Sequence, residues 1–162
     1  MNFLKAFDRL IDHEGGYVDD PTDPGGETKF GISKRSYPHL DIAALTLDDA
    51  RAIYRRDFWD AIDGDNISGP LMFQVFDMAV NSGIGNAIRC LQDAIDVAPD
   101  GHFGAVSRDA LAQYSAGDAL LLFLAARLEF MTKLKNWPNH GKGWARRIAQ
   151  NLRYAAEDTP DV

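Results

Sequence analysis

Phe3, Leu4, Phe7, Leu10 and Ile11 recur at helical spacing, so residues 2–13 are predicted to form an amphipathic helix opened by Asn2. Gly15 and Gly16 end it. From there to Ser33 the chain is dense in Gly, Pro and Asp, with short β-favouring pieces at Tyr17-Val18 and 28–32. That pattern predicts a loop and a small β-hairpin, with Pro24-Gly25-Gly26 in the turn region. Thr46-Leu47-Asp48-Asp49 has the form of a capping box with Asp in the Glu position, and predicts a helix through Leu47, Ala50, Ile53 and Tyr54 to about Trp59. Ser68-Gly69-Pro70 opens another, with Pro tolerated in the first turn. Its residues 71–80 are apolar nearly all round, which a helix sustains only when surrounded by protein, so it is predicted to be central.

Gly83 and Gly85 break that helix, and a fourth is predicted from about Asn86 to Asp96. Asp100-Gly101-His102-Phe103-Gly104 reads as a turn. Ser107 is placed to cap a short helix to Tyr114, and Asp118 a longer one to about Leu134. Residues 135–143, with Pro138 and two Gly, are expected to be a loop. A last helix carries Trp144, Ile148, Leu152 and Ala155. No repeat, low-complexity tract or interdomain linker interrupts the series. The expected fold is mainly α with one small β-element near the N-terminus.

Composition narrows the class. The 162 residues, 46% hydrophobic and 25% charged, suit a soluble globular chain with a sizeable core. The longest apolar run, 119–126, falls well short of the roughly 20 residues that a bilayer span needs, so no stable membrane insertion is expected. Residues 1–8 mix acid and base with no cleavable signal pattern, and the expectation is synthesis in the cytoplasm without a secretory address. The single cysteine, Cys90, lies in the stripe of Ile84, Ala87, Ile88 and Leu91 and is expected to be a buried, inert thiol. A net charge of −7 argues against a nucleic-acid partner, which would require a basic face. The charge is uneven: residues 121–162 hold seven Lys and Arg against four acids, and the first 120 residues hold ten against twenty. A basic C-terminal face suits an acidic polymer, and suits an ordinary solvated helix equally well.

Among twenty Asp and four Glu, Glu14 stands apart. It falls at the C-terminal end of the first predicted helix, where the macrodipole disfavours a second negative charge and raises a carboxyl pKa. A carboxylic acid still protonated near neutral pH is what glycosidic cleavage uses to protonate the leaving oxygen. Gly15 and Gly16 leave room for a polymer to approach. On position alone, a solvated Glu at a helix end is an equally good account. Asp19, Asp20 and Asp23 follow on the loop into the hairpin. One of them, ionised across a cleft from Glu14, would orient water or stabilise an oxocarbenium-like transition state. Asp20-Pro21 and Asp23-Pro24 also suit plain turns.

The run Glu14-Gly15-Gly16-Tyr17-Val18-Asp19-Asp20-Pro21, followed by Asp23-Pro24-Gly25-Gly26-Glu27-Thr28 and Gly31-Ile32, resembles the N-terminal signature of glycoside hydrolase family 108. Those are N-acetylmuramidases found as phage endolysins and as autolysin-like or secretion-activator proteins. Ile53-Tyr54 with Phe58-Trp59, then 76–81 and Leu91-Gln92, are similar too. Residues 100–104 and Gly143-Trp144 resemble the family's C-terminal peptidoglycan-binding region. The resemblance implies a lysozyme-like helical fold whose hairpin lines the cleft. It implies a catalytic region at 1–82 and a helical peptidoglycan-binding-like region at 83–162, packed into one globular unit. The implied reaction cleaves the β-1,4 bond between N-acetylmuramic acid and N-acetylglucosamine, with Glu14 as general acid. By analogy with phage-type lysozymes, Asp23 and Thr28 complete the catalytic set. No cofactor or metal is implied. The expected partner is the peptidoglycan glycan strand, met by a monomer in the periplasm after holin-type or other release.

Substrate contacts are expected from Tyr17, Asp19, Asp20, Asn81 and Trp137. Tyr17 and Trp137 offer faces on which sugar rings pack, Trp137 from its predicted loop. Asn81, ending the central helix, suits an N-acetyl group or a helix cap. Trp59 and Trp144 are expected in the core, and Gln74 and Asp77 in internal hydrogen bonds. Two other classes stay open. His13-Glu14 begins like the H-E-x-x-H of a zinc amidase or endopeptidase, but position 17 is Tyr, and His39, His102 and His140 are scattered. A non-catalytic peptidoglycan-binding module would keep affinity and show no turnover.

Overall fold

Residues 1–11, 16–19, 26–67 and 69–159 are described by the computed structural model, and Cα packing divides them into two compact units, Asn2–Asp57 and Phe58–Val162 with Met1. The described residues are mainly α-helical, with one two-stranded antiparallel sheet. Their helices include none long and apolar enough to cross a membrane.

In the first unit, α1 (Phe3–Ile11) buries Phe3, Ala6, Phe7 and Leu10, whereas Leu4, expected on the same face, is exposed. The Phe7 ring meets that of Tyr54 in α2 (Leu47–Tyr54) at 5.8 Å with the planes tilted by 59°, and the Arg51 guanidinium lies 5.4 Å over the Phe7 ring. The predicted capping box is formed. Thr46 Oγ1 accepts from the Asp49 backbone N–H, and the Asp49 side chain accepts from the Thr46 N–H. The helix expected to run on to Trp59 instead changes pitch after Tyr54, with a π-helical segment over Arg55–Trp59.

The hairpin differs from its prediction. The stretch 28–32 is not one strand but two, β1 (Thr28–Lys29) and β2 (Ile32–Ser33), paired Thr28 with Ser33 and Lys29 with Ile32. The turn between them is Phe30-Gly31, with φ of 52° and 75°. Two positive φ values match a primed hairpin turn, whose twist suits the strands. Glycine meets that geometry at no steric cost, whereas Phe30 holds it with its carbonyl accepting from the Tyr54 hydroxyl at 2.9 Å.

The second unit begins with a 3-10 turn at Gly64–Asn66 and then builds on α3 (Gly69–Ser82). Residues 71–79 of α3 are all buried, as a central helix requires. Around it stand α4 (Ile84–Ala94), α6 (Ala116–Thr132) and α7 (Trp137–Asp158), with α5 (Ala105–Leu111) a short helix between α4 and α6. Trp59 is 1% exposed, donates to Asp65 Oδ1 at 2.9 Å and meets Phe76 edge-on at 5.5 Å. Cys90 is buried as expected, and that burial pushes its thiol up to about 11, which disfavours the thiolate.

Three boundaries move. Ser115 rather than Asp118 caps α6, its Oγ accepting from the Asp118 N–H, because the cap must precede the first turn that Asp118 occupies. Ser107 does not cap α5. It is buried inside the helix, where its hydroxyl accepts from Gln92. The expected loop at 135–143 is helical from Trp137 onward, since Pro138 sits in the first turn, where its missing N–H costs nothing. Gly141 is retained inside α7 because a Cβ there would stand 2.8 Å from the Trp137 ring.

Candidate active site

Of the residues expected to do chemistry, Glu14, Asp20 and Asp23 lie outside the described residues. The structure does describe residues on either side of Asp20 and Asp23. Val18 and Thr28 form an isolated antiparallel bridge, each N–H donating to the other's carbonyl at 2.8 Å. Thr28 also pairs with Ser33 on its other side, so it is the middle residue of a three-row ladder. Lys34 N–H donates to Glu27 O at 2.8 Å and extends that ladder by one rung. Val18 and Thr28 are therefore held against each other by a pair of backbone bonds.

A side-chain clasp reinforces that pairing. The Tyr17 hydroxyl donates to Glu27 Oε1 at 2.9 Å across it. That hydrogen bond, more than the slight burial, holds the Tyr17 phenol above its ordinary pKa, and the charges of Glu27, Asp19 and Asp41 act in the same direction. Tyr17 stays exposed, so its ring face is open to a ligand. Thr28 Oγ1 donates to Gly26 O at 3.2 Å. The hairpin is tied outward as well, by Lys29 Nζ to Ala43 O at 2.7 Å and Lys34 Nζ to Leu40 O at 2.7 Å. Tyr17, Asp19 and Thr28 are thus gathered around that bridge.

Asn81 and Trp137 belong to the second unit. Asn81 Nδ2 donates to Asp77 O one turn back at 2.7 Å, and the residue lines a cavity of about 200 Å³ with Trp144 and Arg147. Trp137 is half-buried against Trp144 at 6.1 Å, and His140 stacks on Trp144 at 5.8 Å. Trp144 itself packs on the cluster of Leu120, Leu124, Met131 and Ile148.

The turn at 100–104 is held by one buried side chain. Gln92 donates to Asp100 Oδ1, His102 O and Ser107 Oγ, and accepts from the Gly101 N–H at 2.8 Å. Those bonds to Gln92, with the His102 N–H, hold the Asp100 carboxyl below its ordinary pKa. Among the described residues, no group of His, Cys, Asp or Glu is arranged to hold a metal.

Asp77 is in internal hydrogen bonds as expected, and what sequence reasoning missed is the set of partners that it gathers. Its carboxylate is fully buried, takes two hydrogen bonds from Arg147 on Oδ1 (2.7 and 3.1 Å), and accepts from Asn151 Nδ2 at 2.8 Å on Oδ2. Arg127 Nη1 lies 2.7 Å from the same Oδ2. Burial alone would raise the Asp77 carboxyl, but the Arg127 and Arg147 charges and these bonds outweigh it and hold it down to about 2. Periodicity carried a signal: Leu120, Phe123, Leu124, Arg127 and Met131 fall on one helix face, and all are buried.

Similarity to known proteins follows the same lines. The family model described as Glycosyl hydrolase 108 matches residues 7–83, from within α1 to just past α3. No curated protein matches. Among solved structures, that of Brucella abortus SagA is similar over 98% of this chain and 96% of its own, at 31% identity and a TM-score of 0.87. The arrangement of helices with a small antiparallel hairpin is lysozyme-like.

Proposed function

This chain belongs to glycosyl hydrolase family 108, a family of glycoside hydrolases, and on that premise we propose that it is a peptidoglycan muramidase of the endolysin type. In this proposal it hydrolyses the β-1,4 bond between N-acetylmuramic acid and N-acetylglucosamine. Glu14 protonates the leaving glycosidic oxygen, and an ionised Asp23 faces the anomeric carbon, supporting the oxocarbenium-like transition state. Thr28 is the third member of the set. Tyr17, Asp19, Asp20, Asn81 and Trp137 are proposed to contact the glycan. Residues 1–82 supply catalysis and 83–162 affinity for the wall, reached by holin-type or another release route.

The observation that carries this reading is the family match over residues 7–83, which spans the whole run from Glu14 to Thr28. The bridge between Val18 and Thr28 supports it physically. Four residues of chain reach at most about 14 Å, so position 14 is tethered within that distance of Val18. Carboxylates at 19, 20 and 23 are tethered to the same bridge from either side. Acid and counter-carboxylate are thereby kept on one short stretch of backbone.

Wild type and Glu14→Gln should be compared on purified peptidoglycan, with new reducing ends and released products analysed. The expected result is a fall of about 10²–10⁴ in rate, the usual worth of a positioned proton donor. New reducing ends at N-acetylmuramic acid persisting in the variant would show that Glu14 is not the acid. Release of peptides alone by wild type would end the glycosidase reading.

A further inference from the structure

α6 and α7 are joined by the short connection 133–136 and pack on each other through Leu120, Leu124, Met131, Ile148 and Ala155. Arg127 of α6 and Arg147 and Asn151 of α7 turn to Asp77, which fixes the side of this pair that faces α3. At about 100° per residue, the helical repeat then sets Leu121, Ala125 and Leu128 of α6 beside Ala149 and Leu152 of α7, on the side turned away from α3. All five are exposed, Leu121 by 61%, Leu128 by 39% and Leu152 by 44%. Exposed leucines are ordinary when scattered, but a line of them over two adjoining helices is a contact face.

Charge specifies what covers it. From Phe130 to Ala156 the chain has no Asp or Glu and six Lys and Arg, in a protein whose net charge is −7. Arg147 turns inward to Asp77, and the other five are exposed. Lys142, Arg146 and Arg153 recur on one face of α7, just outside Ala149 and Leu152, while Lys133 and Lys135 stand at the connection to α6. Asp118 and Glu129 lie on the opposite margin, along α6, so the basic edge of the face is its α7 edge. Leucines beside a basic row are the two components of a surface that lies on anionic lipid. The apolar side chains enter the boundary between headgroups and acyl chains, and lysine and arginine meet the phosphates. A hydrated wall polymer would engage the charges and leave the leucines without a partner. Neither helix is long and apolar enough to cross a bilayer, so the contact is peripheral.

We propose that the outer face of α6 and α7 docks on a membrane surface rich in anionic phospholipid, with Leu121, Leu128 and Leu152 entering the headgroup boundary and Lys142, Arg146 and Arg153 meeting the phosphates. Docking would hold the chain beside the bilayer, and it does not depend on which bond the enzyme cleaves.

The test mixes the full chain with vesicles of phosphatidylglycerol and phosphatidylcholine, and with vesicles of phosphatidylcholine alone, and reads the bound fraction by sedimentation. The mixed vesicles should bind at least about tenfold more tightly, and added salt should weaken that binding. Leu121→Ser with Leu152→Ser should weaken it by roughly tenfold or more, and so, separately, should Lys142→Glu with Arg146→Glu. These side chains are exposed, so the melting temperature should hold, and if the leucine pair melts early, Leu152→Ser alone decides. Equal binding to both kinds of vesicle, no binding to either, or binding that the leucine variants leave unchanged would overturn the proposal. Two further results would overturn it by showing a different occupant. One is a dimer that the leucine variants dissociate, without vesicle binding. The other is binding to purified peptidoglycan that those variants abolish, again without vesicle binding.

Discussion

Between Gly16 and Asp57 the ionisable side chains stand mostly at the surface, and what fixes them is local. Tyr17 clasps Glu27 ten residues away, Asp49 completes a cap with Thr46, and Tyr37 donates to Asp57 at 2.8 Å. In 69–158 the decisive charges are buried and come from far apart. Asp77 on α3 meets Arg127 on α6 and Arg147 and Asn151 on α7, across 70 or more residues for the α7 pair. The first arrangement suits chemistry, because ionisable groups near the surface stay accessible to a polymer and to water. The second suits a scaffold, because a desolvated ion cluster tolerates few alternative packings. The difference implies that substitutions in the two regions fail differently: locally in the first, cooperatively in the second.

The largest effect should come from Asp77→Ala. It leaves Arg127 buried without its counter-charge, and breaking a buried pair by removing one partner costs about 3–5 kcal/mol. Amide exchange should accelerate throughout α3, α6 and α7, while the α2 amides held by the Thr46 cap keep their protection. Exchange that rises only around position 77 would break the contrast drawn above. Acid offers the same test without mutation. The folded Asp77 carboxyl is held at about 2, below its ordinary 3.8, so its stabilisation is complete above pH 3.8 and is lost as pH falls through about 2. Asp77→Asn should remove that part of the acid sensitivity in a series of pH-dependent melts.

How far the sequence discloses this depends on whether a feature is local. The capping box at Thr46–Asp49 and the all-round apolar helix at 71–80 are written in neighbouring residues, and both form. The buried face of α7 is not so written. Its pattern pointed to Leu152, yet Leu152 is 44% exposed and Asn151 is fully buried, because Asp77 needs a donor there. Only the tertiary partner explains that choice. Likewise, Pro138 and Gly141 resemble a loop until the Trp137 ring is seen lying on Gly141. At the candidate site, Tyr17 and Thr28 could be picked out from their types and order. That the Tyr17-Val18 piece pairs with the piece beginning at Thr28 was also legible, but the register that sets Val18 opposite Thr28 was not, since residue types do not fix it.

A smaller effect is expected from Gly31→Ala. The residue sits at φ 75°, where a side chain meets the backbone and costs about 1–2 kcal/mol. The loss should appear as faster exchange of the Lys34 N–H, which donates to Glu27, with α3 and α7 untouched. Spread of the effect to α3 would mean that the hairpin is not a local device.

Tyr17→Phe should be milder still, and it separates two ways of holding Val18 against Thr28. If the Val18–Thr28 backbone bonds suffice, losing the exposed Tyr17–Glu27 clasp loosens that pairing only slightly. Turnover on peptidoglycan should then fall by much less than the roughly 10² that removing a proton donor costs, and the Thr28 N–H should stay protected. The Phe ring keeps the face on which a sugar packs, so KM should hardly move. Glu27→Gln keeps an acceptor for the Tyr17 hydroxyl, removes one of the charges that add to the phenol's upward shift, and should resemble wild type more closely than Tyr17→Phe does. A collapse as deep as that of Glu14→Gln, with Thr28 still protected, would instead place the Tyr17 hydroxyl against the reacting sugar. The residues beside the Val18–Thr28 bridge would then take part in the chemistry themselves.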